Sequence, residues 1–155
     1  GSESDLGLAN KCGDTLDSLS IDYTINVFSA HRTPGLLKEH LKEAEKEGTK
    51  IYIAIAGLAA HLAGAIASKT TKPVIGVPAD NGPLGGIDAL LSTVQMPKGI
   101  PVATVAIGST GATNAGYLAA QILSLGSKQT AEELKAIREK NKQAVLEINK
   151  KLLKK

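Results

Sequence analysis

Leu6, Ala9, Cys12 or Gly13, Leu16 and Leu19 recur at three- to four-residue intervals. That is the period at which side chains return to one face of a helix, so an amphipathic helix is expected over about 6–19. Asp5 stands at its N-cap position. Residues 22–28, Asp-Tyr-Thr-Ile-Asn-Val-Phe, are rich in β-branched and aromatic types and read as a strand. Pro34 opens a second helix, 34–47, with Leu36, Leu37, Leu41 and Ala44 as its apolar stripe and Lys and Glu opposite; Gly48 ends it. Residues 51–56, Ile-Tyr-Ile-Ala-Ile-Ala, are apolar almost without interruption, as suits a parallel strand covered on both faces. A small-residue helix over about 59–69 leads to a strand at 73–78 and a Gly/Pro-rich loop at 79–86. Helix 86–95, strand 102–107, Ala-rich helix 111–125 and a last helix over about 130–152 follow. In that last helix Leu134, Ile137, Ala144, Val145, Ile148 and Leu152 share one side.

Strands alternating with helices at this spacing specify an α/β domain with a parallel sheet and right-handed crossovers. The length of 155 residues suits one domain. Residues 1–127 form its body and 128–155 a terminal helix within the same domain. The pattern opens on a Gly/Ser loop that runs straight into a helix, whereas such a loop ordinarily follows a buried strand. Either residues ahead of Gly1 supply that strand, or the sheet is one strand short and its centre is completed in another way.

Composition narrows the possible partners. Hydrophobic residues make up 43% and charged residues 21%, ordinary values for a folded globular chain. With no Trp, one Phe and three Tyr, the core must be built from Ala, Val, Ile and Leu. The same scarcity argues against single-stranded nucleic acid, which is bound by stacking on aromatic platforms. The net charge of +3 points no other way, because residues 128–155 hold nine Lys or Arg against four Glu and leave the body slightly acidic. No apolar run approaches the roughly 18 residues of a spanning helix, and Gly-Ser-Glu-Ser-Asp has no targeting pattern, so no membrane association and a cytoplasmic location are expected. The single Cys12 excludes an intramolecular disulfide and reads as a small core residue.

Three loops fall at the carboxyl ends of expected strands or at a helix start, the rim where open parallel sheets bind ligands. Gly1 to Asp5 offers close backbone approach, serine hydroxyls, helix N-terminal amides and a carboxylate able to accept from ribose hydroxyls; a plain helix cap explains the same residues. Ser29-Ala30-His31-Arg32-Thr33-Pro34 adds Arg32, able to pair bidentately with phosphate, and His31, able to exchange a proton near neutral pH. The bland alternative is a surface His and Arg at a helix start. Ala56-Gly57 and Ala59 to Gly64 bring small residues and His61, which on general grounds reads either as a structural hydrogen-bonded residue or as part of the site. The 78–88 loop is either a cover for a bound ligand or a plain connection. His31, His40 and His61 lack metal-ligand spacing, so no metal is expected.

Six segments together resemble the PurE family. They are 1–5, Ser-Ala-His-Arg-Thr-Pro at 29–34, Ala-Ala-His-Leu-Ala-Gly at 59–64, Leu-Gly-Gly-Ile-Asp-Ala-Leu-Leu-Ser at 84–92, Val-Gln-Met-Pro-Lys-Gly-Ile-Pro-Val at 94–102 and Asn-Ala-Gly-Tyr-Leu-Ala-Ala-Gln-Ile-Leu at 114–123. The resemblance implies a three-layer, flavodoxin-like, doubly wound parallel sheet with a C-terminal helix extending from the core. It also implies a 5-(carboxyamino)imidazole ribonucleotide mutase of purine biosynthesis, with no metal or organic cofactor and an octameric assembly. By the same resemblance His31 is the acid/base, Ser4, Ser29 and Arg32 bind the 5′-phosphate, Asp5 holds the ribose hydroxyls, and Ser2 and Ala30 also line the substrate site. Ala56, Gly57, His61 and Leu62 would hold the carboxylate and imidazole. A carboxylase using aminoimidazole ribonucleotide and carbon dioxide directly, and a non-enzymatic nucleotide-binding module, are the competing readings. The sequence departs from the family pattern at Ala63, where Pro is usual, at Ile55 and Leu58, where Gly is common, and at Asp80-Asn81, in place of Gln-Ser.

Overall fold

The computed structural model describes residues 1–153. A turn of 3-10 helix at Glu3–Asp5 leads into α1 (Leu6–Asp17), and α2 (Pro34–Lys46) follows. Then come β1 (Tyr52–Ala56), α3 (Leu62–Ala67), β2 (Val74–Pro78), α4 (Ile87–Val94), β3 (Ala103–Thr104), α5 (Gly108–Ser124) and α6 (Lys128–Leu152). The strands pair in parallel in the order β1-β2-β3, with Tyr52 opposite Val74 and Ile75 opposite Ala103. The three-layer α/β reading therefore holds.

Strand alternation divides the core in two. Tyr52, Ala54 and Ala56 point to one face of the sheet and meet Leu37 and Leu41 of α2 and Leu62 and Ile66 of α3. Ile55, Ile75 and Val77 point to the other, against Cys12 and Leu16 of α1 and Ala112, Ala115 and Ala119 of α5. Small residues bring α1 and α5 close: a Cβ on Gly116 would lie 2.8 Å from the Cβ of Thr15. Burial raises the Cys12 thiol to about 11, which keeps it a protonated core residue.

Local rules account for several element starts. Pro34 occupies the first turn of α2, where its missing N–H would be unpaired anyway. Ser127 caps α6 by accepting from the Thr130 N–H at 3.3 Å. The apolar stripe of α2 is Leu37, Leu41 and Ala44; Leu36 lies outside it and is 57% exposed. On α6 only the first half packs, chiefly on α5. Every residue from Arg138 to Leu152 is exposed, so Val145, Ile148 and Leu152 form an uncovered stripe.

Two strand expectations need correction. Residues 22–28 form no helix and belong to no sheet ladder among the described residues, and 22–27 are exposed. Their composition suits a strand, but a strand also needs a partner edge, and β1 pairs only with β2. The expected strand at 102–107 is reduced to Ala103–Thr104, because only Ile75 and Gly76 of β2 stand opposite it. Asp5 does not cap α1 with its side chain; its oxygens are engaged elsewhere.

Candidate active site

Asp5 is 5% exposed, and a buried carboxylate is costly unless its oxygens are hydrogen-bonded. Oδ2 accepts from the Ser2 N–H at 3.0 Å and faces the Gly1 amine at 3.1 Å. Oδ1 accepts from Asn81 Nδ2 at 2.6 Å and from the Ser4 hydroxyl at 3.4 Å. The same Asn81 amide donates to Ser4 Oγ at 3.0 Å, and Ser2 and Ser4 join hydroxyl to hydroxyl at 2.5 Å. Burial lowers the Gly1 amine from its ordinary range; Asp5 opposes that shift, and the nearby positive charge of Arg32 adds to it.

The 29–33 loop is ordered from within. Ser29 Oγ accepts from the Arg32 N–H at 3.1 Å, and Thr33 Oγ1 both accepts from the Ser29 N–H at 3.0 Å and donates to its carbonyl at 3.1 Å. This folding holds His31 and Arg32 outward, both exposed. Among the described residues no carboxylate forms an ion pair with Arg32, so its guanidinium is open to an anion.

His31 Nε2 lies 2.5 Å from His61 Nδ1, with the rings edge to face at a centroid distance of 4.7 Å. One nitrogen of this pair must donate and the other accept, so the two tautomers are linked. His61 is thus no packed core histidine: it is exposed and its partner is His31. The turn that presents it is unusual, with Leu58 at φ 55° and Ala60 at φ 31°. The left-handed region costs a non-glycine residue about 1–2 kcal/mol, more than a glycine adds in unfolded-chain entropy. Leu58→Gly should therefore raise unfolding stability by about 0.5 kcal/mol in urea titration. A loss would show that the half-exposed Leu58 side chain, lying over Gly82, outweighs the strain.

The three loops converge. The Gly1 amine donates to the Ile55 carbonyl at 2.6 Å, tying the first loop to the end of β1. A Cβ at Gly57 would collide with the Asn81 side chain, so glycine lets the 79–86 loop seat there. Ala56 and Leu62 are buried behind the rim, and Ala30 is half-buried between Ser29 and His31. Asn81 is the residue that sequence reasoning did not place in the site. The rule that loops after successive parallel strands share one rim was the available signal, since β2 ends just before it. Among the described residues no group of three His, Cys, Asp or Glu stands together as metal ligands. No helix among them is long and apolar enough to cross a membrane.

Serine-bearing loops, a contacting histidine pair and a buried carboxylate gather on the carboxyl edge of a parallel sheet, the place where α/β folds of the doubly wound class carry small-molecule sites. A profile of the AIR carboxylase family matches residues 1–144, and the chain belongs to that family. It is 51% identical over 153 residues to the N5-carboxyaminoimidazole ribonucleotide mutase of Bacillus subtilis, covering 99% of this chain and 94% of that protein. The protein of the same name from Methanocaldococcus jannaschii is 51% identical over 145 residues, covering 94% and 88%. Among solved structures, the crystal structure of Treponema denticola PurE superposes with a TM-score of 0.90 at 36% identity, covering 98% of this chain and 94% of that one.

Proposed function

We propose that the chain is an N5-carboxyaminoimidazole ribonucleotide mutase of purine biosynthesis. It would convert 5-(carboxyamino)imidazole ribonucleotide to 4-carboxy-5-aminoimidazole ribonucleotide, and a cytoplasmic location goes with that reading. The observation that carries it is the His31–His61 pair on a rim shared with Asp5 and Arg32. Roughly half-identical relatives that bear the mutase name support it.

The chemistry matches the equipment. Breaking the N–carboxylate bond releases carbon dioxide beside the aminoimidazole. C4 then attacks the carbon dioxide carbon, and the C4 proton leaves. One proton departs C4 and one arrives at the exocyclic nitrogen, so a single carrier closes the balance, and His31 is that carrier. Ser4, Ser29 and Arg32 bind the phosphate, and Ser2 and Ala30 line the substrate site beside them. Ala56, Gly57, His61 and Leu62 hold the ring and keep carbon dioxide from solvent. Asp5 receives the ribose hydroxyls, which take the place of the Asn81 amide on Oδ1.

Feeding the carboxyamino substrate to the purified chain should give product without bicarbonate. Turnover only with aminoimidazole ribonucleotide plus bicarbonate would sink the mutase reading in favour of the carboxylase.

We read residues 128–155 as the assembly element of a homo-octamer. Support comes from the uncovered stripe, in which Val145 and Ile148 are each 58% exposed. A Val145→Glu, Ile148→Lys chain should run as smaller species in light scattering. Its intrinsic fold stability should change by no more than about 0.5 kcal/mol, since neither side chain is buried in its own chain. An unchanged assembly mass would remove this role.

A further inference from the structure

Asn81 reaches across the rim and meets two site residues with one amide. Its Nδ2 donates to Asp5 Oδ1 at 2.6 Å and to Ser4 Oγ at 3.0 Å, which uses both of its hydrogens. A carboxylate only accepts, so the amide nitrogen, and not the carbonyl oxygen beside it, must face Asp5. Ser4 in turn donates its own hydroxyl hydrogen toward Asp5 Oδ1 at 3.4 Å. The donor of Ser4 and the acceptor of Asp5 are thus both engaged within the protein.

The main chain under Asn81 is held in place. The Ala79 N–H donates to the Ala56 carbonyl at 2.9 Å, and Ala79 is fully buried. A Cβ on Gly86 would lie 3.0 Å from the Ala79 carbonyl oxygen and 3.3 Å from the Asp80 Cα, and one on Gly108 would lie 2.5 Å from an Asp80 carboxylate oxygen. Residues 79–80 are therefore seated between the end of β1, the start of α4 and the start of α5. The Asn81 side chain itself is exposed, so it can turn about its own bonds while the loop stays where it is.

We propose that Asn81 sets the affinity of the site: its amide occupies the empty site in place of the substrate, and a ligand binds only after turning it out. This rests on the reading above that Ser4 meets the phosphate and Asp5 the ribose. A ribose hydroxyl needs Asp5 Oδ1 as its acceptor, and a phosphate oxygen needs the Ser4 hydrogen. Asn81 holds both groups, so side chain and ligand compete for them. The affinity measured is then the intrinsic one multiplied by the fraction of molecules in which Asn81 is already turned away. An amide on a charged carboxylate makes a stronger bond than a neutral pair does, which keeps that fraction small. Without the amide, water takes its place on Asp5 and leaves more readily than a tethered side chain.

The test compares the parent chain with Asn81→Ala by calorimetric titration of ribose 5-phosphate and by the thermal midpoint without ligand. Asn81→Ala should bind ribose 5-phosphate about 3- to 10-fold more tightly. Its unliganded midpoint should fall by about 2–4 °C, since the tie from the 79–86 loop to Ser4 and Asp5 is gone. A residue that only shaped the site would lower both stability and affinity when removed, so the opposite signs are the signature of a competitor. Unchanged or weaker binding overturns the proposal, weaker binding making Asn81 a ligand contact, and so does an unchanged midpoint. Turnover of the carboxyamino substrate by the parent chain is followed alongside. A parent that binds ribose 5-phosphate without turnover removes the mutase reading, and the comparison with Asn81→Ala still decides the role of Asn81. A parent that turns over, with no gain in affinity in Asn81→Ala, removes that role alone.

Discussion

A His31→Asn chain should lose roughly 10²- to 10⁴-fold in kcat on the carboxyamino substrate, the usual contribution of a positioned acid or base. The proposed reaction moves one proton, and His31 is an exposed rim imidazole proposed to take and return it. Asn keeps a donor that can still face His61 Nδ1 across the 2.5 Å contact, so local geometry is largely preserved while proton exchange is lost. KM should change little. The melting midpoint and assembly mass should stay where they are, because His31 is exposed and packs against little beyond the His61 ring. Turnover within a few-fold of the parent, measured at saturating substrate, would remove His31 as the proton carrier and leave His61 or a bound water in its place.

The largest stability effect belongs to Gly111. It lies buried in the first turns of α5, and a Cβ there would overlap the carbonyl of Ala106, in the connection from β3. A side chain can swing aside, but a backbone carbonyl at the foot of a helix cannot move without shifting α5 off the sheet. Gly111→Ala should therefore cost about 3 kcal/mol in urea unfolding, the upper end of the overpacking range. Gly7→Ala is the internal control. Gly7 sits in α1 with open space where its Cβ would go, so the substitution should add about 0.5–1 kcal/mol by helix propensity. A loss below about 0.5 kcal/mol at Gly111 would mean the 106–111 connection relaxes at little cost.

Element order and helix faces were legible because they are local. The apolar run at 51–56 and the spacing of Leu37, Leu41 and Ala44 each encode their own burial. Residues 22–28 show the limit, since pairing belongs to two segments at once and no composition reveals whether the second is there. The site divides in the same way. Sequence order put His31 and His61 on one rim, but their contact depends on the left-handed turn at Leu58 and Ala60. The engagement of Asp5 by Asn81, 76 residues away, had no local trace.

The bare second half of α6 carries a thermodynamic consequence. From Arg138 to Leu152 the helix is exposed along its own chain, held by its ladder and by exposed Glu–Lys pairs such as Glu139–Lys142 and Glu147–Lys150. Surface pairs of this kind add little, and an isolated helix of about 15 residues is marginal in water. Whatever covers its Val145 and Ile148 stripe therefore also sets how much of it is helical. Order in this segment becomes a function of protein concentration, and dilution would fray it from the C-terminal end while the sheet and its two cores stay intact.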